Sequence, residues 1–252
     1  MEFERRQRFL EKCKYDYIGE CTLLFTSSLK GTLLTQTWPF HAGNGVVFDY
    51  NGIDVTSAIW SQGEPGGREV PEYHHILMVR LELKTDPRLE LRTEETIDKF
   101  EKKMDGDYLD FELKEFNETF YVTSIPRKFG YQFFTPKMIT LFLENREYGI
   151  VINKGKLILH GEVSGSHFDG LGLLNDYDVY QDWINRSLRI LSEILIMIPH
   201  YMYDFKKAEI GGKGKFRIRV TCPVCNKKFV LRKKMETVKC PRCKVTGEIK
   251  LY

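Results

Sequence analysis

Cys222-Pro-Val-Cys225 and Cys240-Pro-Arg-Cys243 are the residues whose types and spacing declare a chemistry. Two C-x-x-C knuckles separated by residues 226–239 place four thiolates where one tetrahedral metal ion can collect them. Four sulfurs leave no open coordination position, which points to one structural ion, zinc first, and away from metal catalysis. Iron in a rubredoxin-like site would use the same ligands and stands as the alternative. Two disulfides would also satisfy the pattern. The start, Met1-Glu2-Phe3-Glu4-Arg5-Arg6, lacks the apolar stretch of a signal peptide, so a reducing cytoplasmic setting is expected. A redox C-x-x-C pair normally opens a helix in a βαβ context, and no such pattern surrounds either knuckle.

Each knuckle needs a residue that tolerates a left-handed backbone just after its second cysteine. Asn226 suits that place; Lys244 holds the equivalent one, where glycine would be commoner, so strain is expected there. Lys227 to Leu231 and Thr237 to Lys239 predict the short strands of a hairpin, with Phe216, Ile218, Val220 and Phe229 as a small apolar face. A unit of about 40 residues cannot build a sufficient core unaided, so the metal would hold it together. Residues 216–252 resemble the zinc-ribbon family, with all four ligand positions matched.

Charge is segregated along the chain. The net charge is +3, yet Lys213 to Tyr252 carry 13 Lys and Arg against Glu236 and Glu248, a formal +11 that leaves −8 on the remainder. Such a tail suits an anionic macromolecule, either nucleic acid or an acidic protein surface. Lys227, Lys228, Arg232, Lys233 and Lys234 are the expected contacts, meeting phosphates or carboxylates rather than reading bases. Two quieter readings stay open. Lys227, Lys228, Arg242 and Lys244 could offset the −2 charge of a divalent tetrathiolate, or the basic tail could dock on its own acidic body.

The elements that must carry this tail read as α+β. Residues 1–205 form the main domain, 206–215 a Gly/Lys linker and 216–252 the ribbon. A charged helical start is expected at 3–15, with strands near Thr22 to Thr26 and Gly31 to Thr37. Gly45 to Tyr50 and Ile53 to Ala58 flank Asn51-Gly52, a two-residue hairpin signal. His74 to Leu83 and Phe120 to Ile125 predict strands, and Asp98 to Asp110 is partly helical. Thr135-Pro136 opens a helix over Met138 to Asn145. Ile150 to Ile152 and Lys156 to Leu159 make a second hairpin. The longest helix is expected over Asp178 to Phe205, with Trp183, Ile184, Leu188, Leu191, Ile194, Leu195 and Ile198 on one face. Ile190 to Ile198 is the greasiest run, too short to span a bilayer, so no membrane insertion is expected. A homodimer seam on that helix is a second use for its apolar surface.

The run Glu112 to Val122, with Phe116, Asn117, Phe120 and Val122, followed by Thr135-Pro136-Lys137-Met138, resembles a widespread family of uncharacterised function. The resemblance spans about residues 15–200 and implies a shared fold. Its matching positions are core and capping types, so it transfers no catalytic residue. Some members are membrane-anchored, and that property is not carried over.

No catalytic set emerges from the body. His74 and His75 are strand neighbours whose side chains face opposite ways. His160 and His200 stand alone. Ser164, Ser166, His167 and Asp169 lack a nucleophile elbow, and Gly211 to Lys215 lacks phosphate-loop spacing. The reading is a non-catalytic interaction protein; a protein-only adaptor clipped by its ribbon, and an enzyme with an unrecognised body site, are the alternatives.

Overall fold

The computed structural model describes residues 16–19, 40–62, 72–94, 106–163, 177–209, 218–231 and 235–249. Its frame is an eight-stranded antiparallel sheet of β1 (Asp16–Gly19), β2 (Phe40–Tyr50), β3 (Ile53–Gln62), β4 (Glu72–Arg80), β5 (Arg88–Thr93), β6 (Phe120–Ile125), β7 (Tyr148–Asn153) and β8 (Lys156–Val163). Their order is β1-β2-β3-β4-β8-β7-β5-β6, so the β7–β8 hairpin wedges between β4 and β5. Both hairpin signals hold for the same reason. Asn51 (φ 51°) and Gly52 (φ 84°) take the two left-handed positions between Tyr50 and its partner Ile53. Lys154 (φ 49°) and Gly155 (φ 67°) do so between Asn153 and Lys156. The expected start at 3–15 and the runs 22–26 and 31–37 lie outside the described residues, as do Ser164, Ser166, His167 and Asp169.

Four α-helices are described: α1 (Lys114–Thr119), α2 (Arg127–Phe133), α3 (Pro136–Glu144) and α4 (Tyr177–Met197). At α3 the Thr135 hydroxyl accepts the Met138 N–H at 3.4 Å, with Pro136 in the first helical position. The short α1 and α2 have no capping side chain to announce them; buried Phe116, Phe129 and Phe133 hold them in place. Asn117 explains itself structurally, since its amide oxygen accepts the Phe111 N–H while its NH2 donates to the Phe111 carbonyl and the Asp110 carboxylate. Of the run 98–110, residues 98–105 lie outside the described residues and 106–110 form no helix; Tyr108 bridges Thr123 beside the β6 edge.

Helix α4 covers one sheet face with Ile184, Leu188, Leu191, Ile194, Leu195 and, just past its end, Ile198, all buried. Each such side chain contributes roughly 1.5–3 kcal/mol before conformational entropy is charged against it. The helix stops at Met197 rather than Phe205, because Pro199 supplies no N–H and disfavours helical geometry at the residue before it. Ile190 adds to the buried face, but Ile196 is 65% exposed. The opposite sheet face buries a separate cluster of Ala58, Trp60, Ile76, Met78, Val151 and Ile158.

His74 and His75 do face opposite ways. His75 lies in a buried hydrogen-bond network under α4, with Nε2 at 2.8 Å from the Ser57 hydroxyl and Nδ1 at 3.2 Å from the Ser187 hydroxyl. Tyr180 reaches Ser57 and Tyr148 reaches Ser187, completing the chain. Among the described residues no carboxylate orients His75 there. His74 instead stacks on Trp60 at 5.0 Å, and His160 meets it edge-on at 6.1 Å, so His160 is not isolated. Burial lowers the pKa of His75 to about 3, and burial aided by His74 and Arg92 does the same for His160.

Because both folded-state values are depressed, the neutral rings support folding fully above pH 6.5 and that support drains away as pH falls toward 3. Each pH unit in that window should cost about 1.4 kcal/mol per histidine. Urea unfolding at pH 7 and pH 5 should show this loss, and His75→Gln should remove roughly half of it, leaving the share of His160. Equal midpoints for the native chain at both pH values would contradict the assignment.

Candidate metal centre

Beyond Pro199 come a 3₁₀ turn (His200–Met202) and five short strands: β9 (Lys206–Glu209), β10 (Ile218–Thr221), β11 (Lys228–Leu231), β12 (Thr237–Lys239) and β13 (Thr246–Glu248). They form a three-stranded sheet, β11-β10-β9, and a two-stranded one, β12-β13. Two expectations change. The runs at 228–231 and 237–239 are strands, but of different sheets, because β11 finds β10 and β12 finds β13. Lys206 to Glu209 are strand rather than linker. Their sequence has no alternating pattern, and pairing with Ile218 to Thr221 imposes the conformation. Phe216 and the rest of 210–217 lie outside the described residues.

The two knuckles repeat one backbone pattern. Cys222 N–H donates to Lys227 O and Asn226 N–H to Cys222 O; Cys240 N–H donates to Val245 O and Lys244 N–H to Cys240 O. Asn226 (φ 56°) and Lys244 (φ 65°) both take the left-handed turn, as their positions require. The turns gather all four sulfurs within 4.8 Å of one another, buried. Cys222 and Cys243 sulfurs are 3.6 Å apart and those of Cys225 and Cys240 3.5 Å. A tetrahedral ion with metal–sulfur bonds of about 2.3 Å needs sulfurs roughly 3.8 Å apart, so the donor set fits a metal ion.

Electrostatics agree. A hydrogen bond shared with Cys243, aided by the Cys225 and Val224 amides, lowers Cys222 to about 5. The same bond, then burial, raises Cys243, and burial raises Cys225 to about 11. Without a cation one thiolate forms and its neighbours are discouraged. A divalent ion removes that conflict.

The cysteine-bearing tail is docked on the body, and a single hydrophobic cluster runs through both. Tyr203 is fully buried, its hydroxyl donates to the Leu195 carbonyl at 2.6 Å, and Cys243 and Cys222 are close enough to help raise its pKa after burial. The Phe205 ring lies against Gly247, where any Cβ would overlap it. The loop after β4 supplies backbone contacts: Glu82 N–H donates to Pro223 O at 3.3 Å, and Asp204 N–H donates to Glu82 O at 3.2 Å. Arg242 lies over Gly52, at the tip of the β2–β3 hairpin, and pairs with Asp49. Glu248 pairs with Lys84 and His200, so His200 is not alone either.

Of the expected contact residues, Lys227 and Lys228 are exposed, while Arg232, Lys233 and Lys234 lie outside the described residues. Sequence reasoning did not single out Tyr203, Phe205, Gly247 or Asp49. A glycine seat for a ring leaves no one-dimensional signal, although Asp49 beside an Asn-Gly turn in an acidic body was a place to look for a docked arginine.

Two substitutions test this geometry. Lys244→Gly should relieve the left-handed strain and raise stability by about 1 kcal/mol in chelator-competed unfolding. Gly247→Ala should force Phe205 out of its seat and lower stability by roughly 1–3 kcal/mol. Unchanged midpoints in both variants would contradict the docked arrangement.

No family model matches the chain, and no curated protein matches it. Among solved structures, the mycobacterial trehalose monomycolate transport factor A, TtfA, overlays with a TM-score of 0.46 at 15% identity, covering 78% of this chain and 95% of that one. An overlay that loose transfers neither fold nor function.

Proposed function

We propose that this chain is a non-catalytic interaction protein whose C-terminal zinc ribbon, held by one structural zinc ion at Cys222, Cys225, Cys240 and Cys243, contacts an anionic macromolecule. Zinc is favoured over iron because four buried thiolates closing a small docked unit need a metal with no redox demand. The observation that carries the partner reading is what docking leaves exposed. Glu248, one of two acidic residues in the basic tail, is engaged by Lys84 and His200, and among the described residues Arg242 is the cation given to the body. Arg219, Lys227, Lys228, Lys239 and Lys244 remain exposed, with no ion pair among the described residues. The docked tail therefore keeps an electropositive outer surface. Arg232, Lys233 and Lys234 extend the same charge in sequence.

Zinc-loaded full-length protein should bind duplex DNA, single-stranded RNA or poly-L-glutamate with strong salt dependence. For a nucleic acid, Lys227→Gln/Lys228→Gln should flatten the slope of log K against log [salt] by up to about 2. Salt-insensitive binding, or none to any of the three polyanions between 50 and 200 mM salt (roughly the range over which such contacts respond), would overturn the reading.

A further inference from the structure

The outer strand of the tail narrows the class of partner. Strand β11 pairs β10 on one side and stands at the edge of its sheet. The register pairs Thr221 with Lys228, Val220 with Phe229 and Arg219 with Val230. Cys222 N–H donates to Lys227 O at 3.0 Å, which makes Cys222 and Lys227 a hydrogen-bonded pair. Alternation then makes Val220/Phe229 hydrogen-bonded and leaves Lys228 and Val230 as the residues whose N–H and C=O point away from β10. Among the described residues nothing hydrogen-bonds those outward groups. Both side chains are exposed, Val230 at 46%.

We propose that the β11 edge is a docking site for an extended acidic peptide segment, added antiparallel as a further strand beside Lys228 and Val230. The inference rests on the anionic-partner reading and assigns its partner class. A row of outward N–H and C=O groups at strand spacing is matched in both donor and acceptor by another strand. Phosphates accept hydrogen bonds and cannot satisfy the outward carbonyls. The surrounding cations choose the strand. Arg219 faces the same way as Val230 and Lys228, and Lys227 adjoins them, so carboxylates on the incoming segment would meet opposite charge at cross-strand distances. An apolar residue of the incoming segment would cover Val230. A second copy of this edge would bring lysines against lysines, which discourages self-pairing.

The test uses zinc-loaded full-length protein and a capped Glu-Thr-Val-Thr-Glu peptide, whose Val and flanking Glu side chains share the face that meets Val230 and Lys228. A version N-methylated at alternate amides, poly-L-glutamate and duplex DNA are the comparison probes. Val230→Pro removes one outward N–H at an open edge, where proline is tolerated, and the cobalt-substituted thiolate absorption reports that the fold survives. The expected result is slowed amide exchange at Lys228 and Val230 on adding the peptide, with affinity falling about tenfold on Val230→Pro or N-methylation. Equal binding of the plain and N-methylated peptides, indifferent to Val230→Pro, would overturn strand addition while leaving the anionic reading intact. Binding of DNA without the peptide would do the same. Failure of every probe would remove both.

Discussion

Four sulfurs held at one point, against Tyr203, set the terms for the rest of this molecule. The knuckles are too small to fold around their own apolar residues, and they do not have to. Val220, Cys222, Val238 and Cys240 are buried in the same continuous core as the sheet and α4. Metal binding would therefore be coupled to packing of the whole chain, because a cation that makes four thiolates compatible also fixes the surface on which Phe205 and the loop after β4 rest. The left-handed turns at Asn226 and Lys244 are local costs accepted to bring the sulfurs together.

Docking also sorts the charges. The tail meets the body through an apolar centre, with ion pairs at its margin: Arg242 to Asp49, and Glu248 to Lys84 and His200. Such exposed pairs add little stability individually. They decide orientation, and orientation decides which cations face solvent. Both quiet alternatives raised by the sequence meet here, since the tail does dock on its own body, yet among the described residues docking engages only Arg242 of its positive charges. Arg242, a candidate for offsetting the thiolates, serves the interface instead.

Much of this was legible in one dimension where a local rule had a single structural answer. The C-x-x-C spacing, the Asn51-Gly52 turn, the Thr135-Pro136 helix start and the stripe from Ile184 to Ile198 belong to that class. Legibility ended where conformation is imposed from a distance. Lys206 to Glu209 have no strand pattern and become β9 by pairing with β10. Helices α1 and α2 lack a capping side chain, and burial of their apolar residues holds them. The assignment of β11 and β12 to separate sheets, and the seat Gly247 offers Phe205, follow from three-dimensional packing that neighbouring residues do not encode.

The account's central claim is that the metal centre and the body form one cooperative unit. Equilibrium unfolding of the cobalt-substituted full chain, followed at once by the thiolate-to-cobalt absorption and by far-ultraviolet circular dichroism, tests it most directly. Coincident transitions with one midpoint are predicted. Loss of the cobalt band at lower denaturant, with the sheet signal intact, would show the cysteine-bearing tail to be an independent appendage and contradict the account.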